Sequence, residues 1–132
     1  MSKTKHDNPR FSDTISAFLK LMDDVQRDYT YNSEQVNLID KLTQDYLHSL
    51  ELDGLDYKGR AKVATQLSKA RQERRAHKDM VVVLEPIVQF LDSDKGKTLL
   101  NLMREVLGKT RKAESYLETR SYIPRVLKNT AE

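Results

Sequence analysis

The chain has 132 residues, 38% apolar and 33% charged, with four Gly, three Pro and no Cys. That length suits one domain with a modest core, and so few helix breakers favour helices over a sheet protein. The missing Cys excludes disulfides, thiolate catalysis and cysteine-bound zinc. No apolar run approaches the ~18 residues of a membrane span, and the polar stretch 1–10 lacks a signal-peptide core. The expected setting is the cytoplasm. The net charge of +3 is unevenly spread. Residues 31–57 carry six acids and one Lys, whereas residues 58–80 carry eight Lys and Arg against two acids.

In chain order, residues 1–10 read as a flexible arm that ends at the Asn8-Pro9 turn signal. A first helix is expected from Ser12 or Asp13, either of which can cap it, with Ile15, Phe18, Leu19, Met22, Val25 and Tyr29 inward. Asn32-Ser33-Glu34 is expected to open a second helix. Its stripe is Val36, Ile39, Leu42 or Thr43, Tyr46 and Leu50, widened by Leu38 and Leu47. Gly54 is the natural left-handed stop of that helix.

The strongest signal comes next. Val63, Leu67, Ala70, Arg74, His77, Val81, Leu84, Val88 and Leu91 alternate steps of four and three, which keeps one seam of a long helix in register over four heptads. The helix is expected over about 58–91, with Pro86 bending it near Val82 or breaking it. After a turn at 92–97 a fourth helix runs to about 119. Its expected seam is Leu99, Met103, Val106, Thr110, Ala113, Leu117 and Arg120. Residues 120–132 form a tail, extended around Pro124. The fold class is therefore all-α, a single domain over 1–132. It comprises two helical hairpins, the C-terminal one (58–91 with 97–119) long, antiparallel and coiled-coil-like.

Chemistry is sparse. His6, His48 and His77 lie on separate segments without metal-ligand spacing, and the glycines are single, so no phosphate loop or nucleophile elbow is present. No catalytic residue, metal ligand or cofactor is expected. The candidate binding residues are the basic arc Arg60, Arg71, Arg75 and Lys78, with Arg74 at the seam edge and Lys62 and Lys69 on the opposite flank. Guanidinium groups arrayed along a helix suit phosphate or carboxylate partners. The competing reading is internal neutralisation. A fold about 92–97 would set Glu114 and Glu118 beside Arg71, Arg74, Arg75 and Lys78, and the acids Glu34, Asp40, Asp45 and Glu51 would cover the rest. Arg74 and His77 interrupt an apolar seam, as residues that fix helix register do. Tyr46 and Tyr116 are expected at the core edge. Tyr122 and Arg125 of the tail are candidate anchors for a groove on a partner.

The ordered set Asp56-Tyr-Lys-Gly-Arg60, Leu67-Ser-Lys-Ala-Arg-Gln-Glu-Arg-Arg75, Lys78-Asp79, Leu84-Glu-Pro86, Val106-Leu-Gly-Lys109, Arg111-Lys-Ala-Glu114 and Arg120-Ser-Tyr-Ile-Pro-Arg125 resembles small helical proteins encoded by phages and prophages of Gram-positive bacteria. The resemblance covers about residues 55–126. It implies an origin and a cytosolic setting in an infected cell, and it brings no activity or site residues with it. The expected function is that of a non-enzymatic interaction protein. It would occlude a host or defence complex through the basic helix and the tail. Direct DNA or RNA binding and a virion assembly role are the alternatives. An exposed seam also allows pairing with a second copy.

Overall fold

The computed structural model describes residues 10–121, 124 and 126. All regular structure among them is helical: α1 (Phe11–Leu52), α2 (Tyr57–Asp92) and α3 (Asp94–Thr119). The expected break at Asn32-Ser33 is absent, because α1 runs unbroken through it for 42 residues. Asn32 does not cap a new helix. Its side-chain amide donates to the Asp28 carbonyl one turn back at 2.7 Å, a bond compatible with a continuing helix. The inward positions Tyr29, Asn32, Val36, Ile39, Thr43, Tyr46 and Leu50 keep the three-four rhythm across the same point. Leu38 and Leu47, expected to widen the stripe, are instead exposed at 58% and 41%.

The start of α1 also differs from expectation. Phe11 is its first residue, and Asp13 accepts from the Arg10 backbone N–H at 3.4 Å, the return half of a capping box. At the other end Gly54 takes φ +58°, the left-handed conformation that a side chain would strain. Asp56 then caps α2, its carboxylate accepting from the Gly59 N–H at 2.7 Å.

Pro86 does not break α2. The carbonyl it deprives of a partner belongs to Val82. Both residues are on the exposed side, where water can take up the free acceptor. At the α2–α3 junction Ser93 adopts an extended conformation, and its hydroxyl accepts from the Gly96 N–H at 3.1 Å. Gly96 is buried, and a Cβ there would collide with the Phe90 carbonyl.

The chain divides into two compact units, Met1–Leu19 with Thr98–Glu132, and Lys20–Lys97. Within the second unit, α1 and α2 form an antiparallel hairpin about Gly54. All nine predicted seam residues of α2 are buried or half-buried, Ala70, Leu84 and Leu91 most deeply. Val25, Val36 and Ile39 are the buried apolar residues of α1.

Within the first unit the start of α1 meets α3. Arg10 forms an ion pair with Glu118, and the Ser12 backbone N–H donates to Glu114 at 3.3 Å. The seam of α3 keeps the expected Met103 and Thr110 and shifts by one residue at Leu99, Val106 and Ala113. Gly96, Leu100, Met103, Leu107, Thr110 and Glu114 turn inward, while Leu99, Val106 and Leu117 are 37%, 44% and 53% exposed. Tyr116, expected at the core edge, is 67% exposed. Two apolar stripes lie side by side on α3, and the one carrying Glu114 faces the N–H groups of the first turn of α1. Unpaired N–H groups at a helix start attract a carboxylate.

Candidate functional site

The polar residues of the α2 seam form a layer inside the hairpin. The Arg74 guanidinium donates to the Asp40 carboxylate at 2.6 Å, with side-chain exposures of 31% and 47%. One turn on, His77 Nδ1 lies 2.7 Å from Asn32 Oδ1. The amide nitrogen of Asn32 is engaged by the Asp28 carbonyl, so its oxygen faces the ring and His77 Nδ1–H is the donor. Tyr31 packs edge-on against His77, with ring centroids 5.9 Å apart. A shift of one residue in the α1–α2 pairing would separate both pairs, so the layer holds the register of the hairpin.

This arrangement corrects the expected neutralisation of the arc. Glu114 and Glu118 are engaged by Ser12 and Arg10. Asp40 on α1 takes that place. Asp40 is one of the acids expected to cover the rest of the arc, but not as the partner of Arg74; Asn32 and Tyr31 are not marked as site residues by the spacing of charges along the chain. The hairpin about Gly54 would have revealed the partners, because levels across it are set by residue numbers that add to about 110.

The other cations of the arc stand apart from Arg74. Arg60, Arg71, Arg75 and Lys78 are exposed, and among the described residues no carboxylate lies within ion-pair distance of them. Arg71, Arg75 and Lys78 occupy two adjacent turns, about 10 Å of helix, whereas Arg60 lies about 16 Å from Arg71 at 1.5 Å per residue. The structure thus brings three of the predicted cations together, assigns Arg74 to the interior and leaves Arg60 separate. Tyr122 and Arg125 lie outside the described residues.

Lys78 also borders a small cleft of about 290 Å³ with Glu85 of α2 and Tyr29, Ser33 and Asn37 of α1. Its one cation and one carboxylate suit hydrogen bonding to a polar segment better than capture of a bare anion. Among the described residues no group of three or more His, Asp or Glu is placed to hold a metal ion.

No helix among the described residues is long and apolar enough to cross a membrane. Comparison of the chain with protein-family models, curated proteins and solved structures finds no match.

Proposed function

We propose that this chain is a non-enzymatic interaction protein that docks on a macromolecular partner through Arg71, Arg75 and Lys78 of α2. One observation carries the reading. The three side chains stand on one exposed flank without carboxylate partners among the described residues, while the neighbouring Arg74 is paired with Asp40. Free guanidinium and ammonium groups whose points of attachment are spaced by one helix suit an acidic surface. Asp79 and Glu85 lie along the same stretch of α2, so the flank alternates in sign. Alternation suits a protein surface with its own mixed charges better than a uniform polyanion. The target in this proposal is a host or defence complex in the cytoplasm of an infected Gram-positive bacterium, blocked by occlusion. Tyr122 and Arg125 are its second anchor.

The test is retention of partners from such a lysate on immobilised wild-type chain, on Arg71→Glu/Arg75→Glu/Lys78→Glu, and on Arg74→Leu. Retention by the wild type and by Arg74→Leu, lost in the triple variant at unchanged helicity, supports the proposal. Equal retention by the triple variant refutes it. Direct nucleic-acid binding is the second reading, supported by the close spacing of Arg71, Arg75 and Lys78 along one helix. It requires a mobility shift at low salt whose affinity falls steeply as salt rises. No shift with duplex or single strands removes it.

A further inference from the structure

The start of α1 and most of α3 belong to one compact unit, and its two flanks differ in chemistry. The pairs Ser12–Glu114 and Arg10–Glu118 run in opposite order along the two segments, so α3 passes the start of α1 antiparallel. On α1 the inward residues are Ser12, Ile15, Ser16 and Leu19; those of α3 are given above. A step of one residue turns a helix by 100°, and in antiparallel helices the same step leads to the same flank.

One step before the inward residues stand Phe11, Thr14 and Phe18 on α1, and Leu99, Leu102, Val106, Lys109 and Ala113 on α3. No acid is among them. One step after stand Asp13 on α1 and Asn101, Arg104 and Arg111 on α3. The first flank is thus apolar with one cation, and the second is polar. Leu117, three steps after Glu114, turns to the first flank, whereas Glu105 stands 100° round from Val106 toward the polar side. Phe11, Phe18 and Leu102 are 82%, 36% and 52% exposed, and Leu99, Val106 and Leu117 are open to the degree given above.

We propose that this flank rests on an anionic lipid surface, with α3 lying in the plane of the headgroups. Charge favours it. Arg104, Lys109, Arg111, Lys112 and Arg120 are exposed, and among the described residues no carboxylate lies within ion-pair distance of them. Two of the acids of α3, Glu114 and Glu118, are engaged by the start of α1. Open cations beside an exposed apolar flank complement the negative surface of a bilayer.

Lys109 separates a lipid partner from a protein one. Covered by a protein, its ammonium would lose water with no carboxylate on its own flank to replace it. On a bilayer its stem lies along apolar surface while the ammonium reaches the phosphates. Area points the same way. Six side chains of roughly 150–250 Å² at these exposures present about 600 Å², short of the ~800 Å² per partner of a stable protein interface. An interfacial helix needs no matching patch opposite it. The inference is independent of the basic flank of α2.

Cosedimentation of the full chain with vesicles of phosphatidylglycerol and phosphatidylcholine in equal parts, against phosphatidylcholine alone, tests it. Wild type is expected on the anionic vesicles at ~0.1 M salt, with little on the neutral ones, and is released as salt rises. Leu102→Gln/Val106→Gln, which changes no charge, is expected to weaken binding at least about tenfold with helicity unchanged. Val83→Gln, at an exposed position of α2, leaves binding intact. No binding of wild type to anionic vesicles overturns the proposal, as does a double variant that binds as tightly as wild type, or an equal loss in Val83→Gln. Should the double variant lose helicity, Lys109→Glu decides in its place: weaker binding supports the lipid contact, and unchanged binding refutes it. A wild-type dimer in lipid-free buffer that Leu102→Gln/Val106→Gln dissociates would assign the flank to a second copy and overturn the proposal as well.

Discussion

Removing Arg74 from the α2 seam is expected to stabilise the protein while loosening its register. The guanidinium is about two-thirds covered, and its bond to Asp40 is charge-assisted at 2.6 Å. A bond of that kind is worth about 1.5–3 kcal/mol where buried, and the 31% and 47% exposures reduce it to about 1–2 kcal/mol through solvent screening. Arg74→Leu loses that bond, but it removes the cost of desolvating a cation and buries an isobutyl group worth about 1.5–3 kcal/mol. Asp40 is then left half exposed and hydrated, so no stranded charge offsets the gain. The net expectation is a rise of about 1 kcal/mol for Arg74→Leu. Asp40→Ala, which leaves the cation in an apolar seam, is expected to cost about 1–2 kcal/mol. In the Arg74→Leu background the same change should cost less than about 0.3 kcal/mol. Urea unfolding followed by helical circular dichroism, at one fixed protein concentration, measures the cycle. An equal cost of Asp40→Ala in both backgrounds, or a loss of more than about 1 kcal/mol in Arg74→Leu, would refute the reasoning.

Thr43 is buried, and its hydroxyl finds no partner among the described residues, so Thr43→Val should raise stability by about 1 kcal/mol in the same urea assay. The glycines of α3 should behave oppositely. Gly108→Ala meets open space and is expected to gain about 0.8 kcal/mol, whereas Gly96→Ala drives a methyl into the Phe90 carbonyl and should lower the melting temperature by more than about 8 °C. In acid, the bonds donated by Ser12 hold the Glu114 carboxyl below its ordinary 4.5. Bonds from Lys20 and Arg27 hold Asp24 below its ordinary 3.8. Both groups therefore stabilise the fold above those ordinary values and cease to as pH falls through the depressed ones. A pH titration of melting temperature should fall on that limb, and Glu114→Gln should flatten it.

The helical class and the α2 seam were legible because nine positions repeat one spacing over four heptads, a signal a single polar residue cannot erase. The boundaries of α2 were legible for the same reason: spacing placed it at 58–91, within one residue of Tyr57–Asp92 at each end. Asn32-Ser33 misled because those residue types favour caps. Here Asn32 bonds backward to Asp28 and forward to His77, and the inward spacing of α1 continues past it. The α3 seam was ambiguous for a physical reason. Leu99, Leu102 and Val106 form a stripe as regular as Leu100, Met103 and Leu107, and only contact with the start of α1 distinguishes them. The partner of Arg74 was missed because pairing was sought about the 92–97 turn, whereas the hairpin that buries the α2 seam turns at Gly54.

The division of labour among the α2 cations can be read directly from the arginine side-chain Nε–H signals by nuclear magnetic resonance. The account predicts a resolved, slowly exchanging Nε–H for Arg74, lost in Asp40→Ala, beside rapid exchange with water at Arg71 and Arg75. Protection at Arg71 or Arg75 equal to that at Arg74, or an Arg74 signal indifferent to Asp40, would contradict it.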